Sequence, residues 1–264
     1  MKKKLIRLFE RLGFSIRITN LQITKRFQTP SDKSGLGFFK TPTGNYYLPA
    51  NLKNDVVANT IKAGSVFEEE IIEVAKKYIQ PNTVFLDVGA NYGQMTVLLS
   101  NYLKGTGKIF SFEAEPFVSG ILKLNINANG CNNVEVISKA VFHKGGEKVV
   151  FPEPDFQKFD AYGSYGISPG AKTGRTVETI TIDSLEIKEP VSFIKIDIQG
   201  CDLFAMEGAR ATINKYQPAI IFEYEEQFQD DFKTSFNDYV EFVRSINYRF
   251  IKTYMGINYL IVPN

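Results

Sequence analysis

The segment Val84-Phe85-Leu86-Asp87-Val88-Gly89-Ala90-Asn91-Tyr92-Gly93 constrains this chain more than any other. An apolar run ends in an acid, two glycines follow four apart, and a helical pattern then begins. A buried parallel strand that turns sharply over a small-molecule site has this form. Ile109-Phe110-Ser111-Phe112-Glu113 is a second apolar strand ending in acid, and Glu113 lies 20 residues beyond Gly93. Together the two segments describe half of a nucleoside-binding α/β fold.

Around them, strand and helix patterns alternate. Helical spacing runs from Val66 to Tyr78 and stops before Pro81. Strands are expected at 84–88, 108–112, 134–138, 193–197 and 219–224, and helices at about 92–103, 117–128, 202–215 and 235–246. Gly130 is a candidate C-cap. Tyr248–Tyr254 and Tyr259–Val262 form a terminal hairpin across Met255-Gly256-Ile257-Asn258. Repeated β-α-β units imply a mostly parallel sheet with right-handed crossovers, which the hairpin closes with an antiparallel edge strand. Residues 139–182 break the alternation as a β-like, turn-rich insertion. Residues 1–60 read as an N-terminal helical and β extension to a domain spanning 61–264, with a loop at 30–35 and a hairpin turn at Gly44-Asn45.

Composition narrows the function. A net charge of +2 argues against a dominant nucleic-acid surface. Cys131 and Cys201 lie 70 apart with no metal-ligand spacing, so a reducing, cytoplasmic compartment fits and a zinc site does not. The single histidine, His143, limits imidazole chemistry to one turn, read as solvated and near an adenine end. No apolar run reaches the roughly 20 residues needed to span a bilayer. Arg7, Glu10 and Arg11 interrupt the apolar run near the N-terminus, against a cleaved signal. Residues 1–14 are read as a helix packed on the domain, with a peripheral contact to anionic lipid as the alternative.

The first two strand ends select the ligand site. Asp87, Gly89, Asn91 and Gly93 follow the first strand, and Glu113, the second, can accept both hydroxyls of a ribose. A dinucleotide turn needs glycine where this chain has Asn91 and Gln94. The turn therefore lacks a pyrophosphate cradle and suits a nucleoside without phosphates. S-adenosylmethionine is one, with Asp87 positioned to answer its positive end.

These residues resemble the FkbM family of S-adenosylmethionine-dependent methyltransferases. The matching blocks are Phe85–Gly93, Phe112–Pro116, Asn132–Val136, Thr179–Leu185, Phe193–Gly200 and Glu207–Ala209, in order over about 81–225. The resemblance implies a Rossmann-like class I methyltransferase sheet and O-methylation of a hydroxyl on a sugar, glycan or secondary metabolite. It implies cofactor contacts at Asp87, Gly89, Asn91, Gly93, Glu113 and Ala140. Phe67-Glu68 resembles an upstream element that closes over the cofactor. Two departures stand out: Gln199 where the family usually has Glu, and Asp202 where it usually has Glu. A nicotinamide-dependent oxidoreductase is a second reading, disfavoured by Asn91 and Gln94. A non-catalytic cofactor-binding protein is a third, motivated by Gln199.

Asp197 is the candidate base or acceptor-orienting carboxylate, with Lys195 two residues before it holding it ionised. The competing reading makes Asp197 a helix cap or a structural partner of Lys195. A Mg²⁺ role through Asp197, Asp202 and Glu223 is the weaker expectation, because the sequence shows no dense carboxylate cluster. Cys201 reads as a packed small side chain. The Gly- and Tyr-rich stretch 153–176 is either an acceptor lid or a surface excursion.

Overall fold

The computed structural model describes residues 15–19, 22–26, 35–50, 52–153, 161–168 and 170–264. The expectations for residues 1–14 and for the loop at 30–34 lie outside the described residues.

β1 (Ser15–Thr19), β2 (Gln22–Arg26), β3 (Leu36–Thr41) and β4 (Gly44–Pro49) form an antiparallel sheet in sequence order. Two short helices follow, α1 (Val56–Lys62) and α2 (Glu69–Tyr78). The central sheet then begins with β5 (Val84–Val88), α3 (Gln94–Leu103), β6 (Lys108–Phe112), α4 (Pro116–Ala128) and β7 (Val134–Ile137). A small sheet of β8 (Ala140–Val141), β9 (Lys148–Pro152) and β10 (Gly174–Ile180) occupies the stretch read as an insertion. The central sheet resumes with β11 (Val191–Ile196), α5 (Asp202–Glu207), α6 (Arg210–Tyr216), β12 (Ala219–Glu223), α7 (Phe236–Ser245), β13 (Tyr248–Tyr254) and β14 (Asn258–Pro263).

Its seven strands run in the order β13-β14-β12-β11-β5-β6-β7, with β14 alone antiparallel to its neighbours. The direction of chain travel reverses between β5 and β11, which opens a crevice beyond their carboxyl ends. β5 is buried along its whole length, as its apolar run requires. Val84, Leu86 and Val88 face a core shared with α5, α6 and α7, while Phe85 faces one shared with α2 and α3. The two-residue period puts Asp87 on the Phe85 side, and the parallel register sets it beside Lys195 of β11.

Four expectations are corrected. The antiparallel strand of the terminal hairpin is inserted between β12 and β13, so β13 forms the edge. The β3–β4 turn is Pro42-Thr43, because Thr41 pairs with Gly44, whose backbone is pressed against Asn129. The helix expected over 202–215 breaks in two at Gly208. A side chain there would strike the Phe142 carbonyl, and Asp183 caps the second half by accepting from Ala211 N and Thr212 N at 2.9 and 2.8 Å. The helix expected from Val66 starts only at Glu69, since Glu68 is left-handed at φ 52°.

The β3–β4 hairpin docks on the central domain through polar contacts. Asn125, buried in α4, accepts from Tyr47 N at 2.6 Å and donates to Tyr92 O at 2.8 Å. Asp55 caps α1 by accepting from Ala58 N at 2.8 Å and takes the Tyr92 hydroxyl at 2.6 Å. Asp55→Ala removes both bonds and leaves a buried phenol unpaired. It is expected to cost about 2–4 kcal/mol of unfolding free energy in urea denaturation, with Tyr92→Phe recovering part of the loss.

Candidate active site

Three left-handed residues shape the turn after β5: Gly89, Asn91 and Gly93, at φ 82°, 50° and 84°. Glycine is required at Gly89, where a Cβ would collide with the Asp197 carbonyl, and at Gly93, where it would meet Leu122. Gly89 N and Ala90 N both donate to Phe112 O, at 3.0 and 2.9 Å, fastening the turn to the end of β6. Beside it, Glu113 accepts from Asn91 N at 3.0 Å and Glu115 N at 2.9 Å. Burial pushes the Glu113 carboxyl up to about 7. Glu115 belongs to the scaffold: it caps α4 through Val118 N at 2.7 Å and pairs with Arg175.

Two clefts meet at this turn and share Gly89, Asn91 and Asp197. The larger, about 680 Å³, is lined by Glu113, Ala140, Phe151, Tyr165 and Gln199 among others. The smaller, about 410 Å³, is lined by Glu68, Asp87, Gly93, Gln94 and Lys195. All nine residues singled out for cofactor or catalysis thus line one cleft or both.

The electrostatics centre on Lys195. Its ammonium donates to Gly89 O at 3.0 Å and to Asp197 Oδ2 at 3.2 Å. Burial opposes its charge, but Asp197, Asp87 and Glu68 overcome that and lift its pKa above the usual lysine value. Burial likewise opposes the Asp197 charge, yet Lys195 and hydrogen bonds hold that carboxyl below its usual range. Asp87 is fully buried; Oδ2 accepts from Thr96 Oγ1 at 2.5 Å, while Oδ1 has no hydrogen-bond partner among the described residues. Burial and the nearby Asp197 raise Glu68 to about 7.

Beyond Asp197 lies an acid pair the sequence did not show as a cluster. Burial, then Asp197 and Asp202, push Glu223 up to about 11. Burial and Asp197 push Asp202 to about 7. Among the described residues, no three His, Cys, Asp or Glu side chains are arranged to hold a metal ion.

Other expectations fall differently. His143 is exposed in a bend of the chain, as expected, but lines neither cleft; its ring packs against Phe142 and Phe204, at 4.4 and 5.2 Å between centroids. Cys201 reaches the larger cleft, but burial raises its thiol well above the usual range, against a thiolate role. The described part of the 153–176 stretch lies over the turn. Tyr162 is buried against Phe117, a Cβ on Gly163 would sit 2.7 Å from Asn91 Nδ2, and one on Gly166 would sit 3.0 Å from Gln199 Cβ.

Gln94 was underrated as a mere missing glycine. It is buried, accepts from Phe67 N at 2.8 Å, and donates to Ser65 O at 2.8 Å and Thr43 Oγ1 at 3.2 Å. It ties the Phe67-Glu68 segment to the first turn of α3. A glutamine among apolar positions of a buried helix was the available signal. Gln94→Ala is expected to lose about 2–3 kcal/mol of stability. The Phe67 amide should lose its protection in hydrogen exchange.

A seven-stranded sheet with one reversed strand next to its edge, and a ligand crevice at the β5/β11 switch point, defines the Rossmann-like methyltransferase class. Within that class, the model described as "Methyltransferase FkbM domain" matches residues 87–250, and the chain belongs to this family. Among solved structures, the FkbM methyltransferase of Methylobacillus flagellatus is 17% identical at a TM-score of 0.49, covering 72% of this chain and 50% of its own. This chain thus spans half the length of that relative. An S-adenosylmethionine-dependent O-methyltransferase of Thermotoga maritima is 11% identical at a TM-score of 0.47, covering 83% of this chain and 73% of its own. The precorrin-6y C5,15-methyltransferase of Geobacter metallireducens is 16% identical at a TM-score of 0.43, covering 74% and 87%. No curated protein matches the chain.

Proposed function

We propose that this protein is an S-adenosylmethionine-dependent O-methyltransferase whose acceptor is a hydroxyl of a small molecule, sugar or glycan. The observation that carries this reading is the charge of the two clefts. The smaller one presents Asp87, with an unpartnered buried oxygen, and Glu68. With Asp197 these acids outnumber Lys195, the one ammonium lining that cleft among the described residues, so the lining favours an ammonium and a sulfonium over the phosphates of a nicotinamide dinucleotide. Glu113 of the larger cleft offers a carboxylate to ribose hydroxyls, and Ala140, Val141 and Phe151 offer an apolar wall to a base. Two free, buried cysteines support a reducing cytoplasmic compartment. No described helix is long and apolar enough to cross a membrane. The lipid contact considered for residues 1–14 lies outside the described residues.

When bound, the sulfonium supplies the methyl group and retains the electron pair of the broken C–S bond. Asp197, with 21% of its side chain exposed, faces the junction of the clefts and receives the acceptor's hydroxyl proton. Lys195 holds it ionised and aims it. Alignment of the reacting atoms supplies the larger share of the rate, roughly 7–11 kcal/mol of barrier. Proton acceptance adds typically about 10²–10⁴-fold.

Calorimetry with S-adenosylhomocysteine and with NAD tests the ligand; heat with NAD alone would refute the reading. Glu113→Ala is expected to weaken S-adenosylhomocysteine at least about tenfold. Asp197→Asn should retain that affinity and slow methyl transfer to a panel of sugar and phenolic acceptors at least about tenfold. Glu113 also sets a pH signature. Its folded-state pKa of about 7 lies above the ordinary 4.5, so the folded protein binds the extra proton. Its contribution to stability is present below the ordinary value and fades as pH rises through about 7. Ligand affinity should move oppositely, rising by up to about tenfold per unit between pH 5 and 7 as the carboxylate forms. Glu113→Gln should flatten that slope.

A further inference from the structure

Beyond the end of β11 the chain folds back at once, and Gln199 and Gly200 both take positive φ, 54° and 91°. A left-handed backbone is unfavourable for a residue with a Cβ. Its surroundings hold it: Gly200 is pressed against Phe228, and Gly166 lies over the Gln199 side chain. The turn aims the Gln199 amide between two carboxyl groups on adjacent strand ends. Nε2 lies 3.3 Å from Asp197 Oδ1 and 3.0 Å from Glu223 Oε2. An amide nitrogen carries two hydrogens, so one group donates to both carboxyls at once.

The groups facing this pair are Lys195 of β11, Asp87 of β5, Glu68 before α2, Asp202 of α5 and Glu225 beyond β12. Among the described residues one ammonium, Lys195, faces these acids, and neighbouring carboxyls that share it cannot all ionise. Lys195 pairs with Asp197 Oδ2 at 3.2 Å, while the Gln199 amide is the donor that reaches Glu223. A glutamate at position 199 would set a third carboxyl between them, with nothing to donate unless it gained a proton or shared a cation.

We propose that Gln199 is a positioning residue that locks Asp197 and Glu223 into one proton-sharing pair and lets the cluster work without a divalent cation. This rests on the reading of Asp197 as the proton acceptor. It also assigns a purpose to the glutamine that otherwise counts against activity.

Two variants test it. Gln199→Asn accepts the left-handed backbone but is one methylene too short to span both carboxyls. Gln199→Glu restores length and removes the donor. The Asp and Glu carboxyl carbons are followed by ¹³C NMR from about pH 2 to 9, starting below the usual carboxylate range, and calorimetry is run separately with MgCl₂ alone and with S-adenosylhomocysteine alone. In Gln199→Asn the Asp197 midpoint is expected to rise by about one unit, a tenfold gain in proton affinity. In Gln199→Glu a Mg²⁺ heat should appear that the native protein lacks and that adding Asp197→Asn removes. S-adenosylhomocysteine affinity should persist in both variants. An unmoved Asp197 midpoint in Gln199→Asn overturns the proposal, as does native Mg²⁺ binding that Asp197→Asn abolishes. A loss of S-adenosylhomocysteine affinity confined to the variants also overturns it, because Gln199 would then serve the cofactor. If the native protein fails to bind S-adenosylhomocysteine, the methyltransferase reading falls, while the titration still decides what Gln199 does.

Discussion

A single buried ammonium organises the site. Lys195 sits where β5 and β11 lie side by side, bonded to the Gly89 carbonyl and the Asp197 carboxylate and facing Asp87 and Glu68. An isolated buried ammonium would give up its proton, because desolvation of a charge is expensive. Here three acids keep it charged, and it in turn keeps Asp197 ionised. The same atom fixes backbone and side chain together: it holds the glycine turn to β11, while that turn is bonded on its other flank to the end of β6. The two clefts and the Asp197 carboxylate therefore share one electrostatic centre, and neither can shift without the other.

The second constraint is steric. Gly89 packs so closely on the Asp197 carbonyl that no side chain fits between β5 and β11 at that level. The glycines of this segment serve the contact of two strand ends as much as the approach of a ligand. That explains why the turn tolerates Asn91 and Gln94. Both glycines of the turn meet a neighbour too close for a Cβ, while Asn91 between them and Gln94 after them carry polar side chains.

Much of this architecture was legible in the chain, and the reasons it was not complete are specific. Strands 84–88 and 108–112 read to the residue because both are nearly continuous apolar runs, broken inside only by Asp87 and Ser111. Asp87, Glu113, Lys195 and Asp197 could be grouped because a parallel sheet brings the carboxyl ends of its strands to one crevice. Helix starts and breaks were misread where a distant contact decides them: Glu68 is left-handed beside a segment held by Gln94, and Gly208 gives way to a carbonyl from residue 142. Gln94 reaches Phe67 and Thr43, Asn125 reaches Tyr47, and Gln199 reaches Glu223, over 27, 51, 78 and 24 positions, beyond any periodicity. Which arm of the terminal hairpin enters the sheet is likewise settled by burial against β12, and both arms have strand-like patterns.

The polar clamp on Tyr92 and Gln94 changes what counts as the working unit. The family model's match begins at Asp87. Yet the smaller cleft is walled by Val57, Phe67 and Glu68, and its floor is braced by Thr43, Tyr47 and Asp55. A fragment trimmed to 87–250 would lose β14, most of β13 and the start of β5, together with the wall and brace that the upstream segment gives the smaller cleft. The segment upstream of the sheet is thus as much a part of the smaller cleft as the strand ends are.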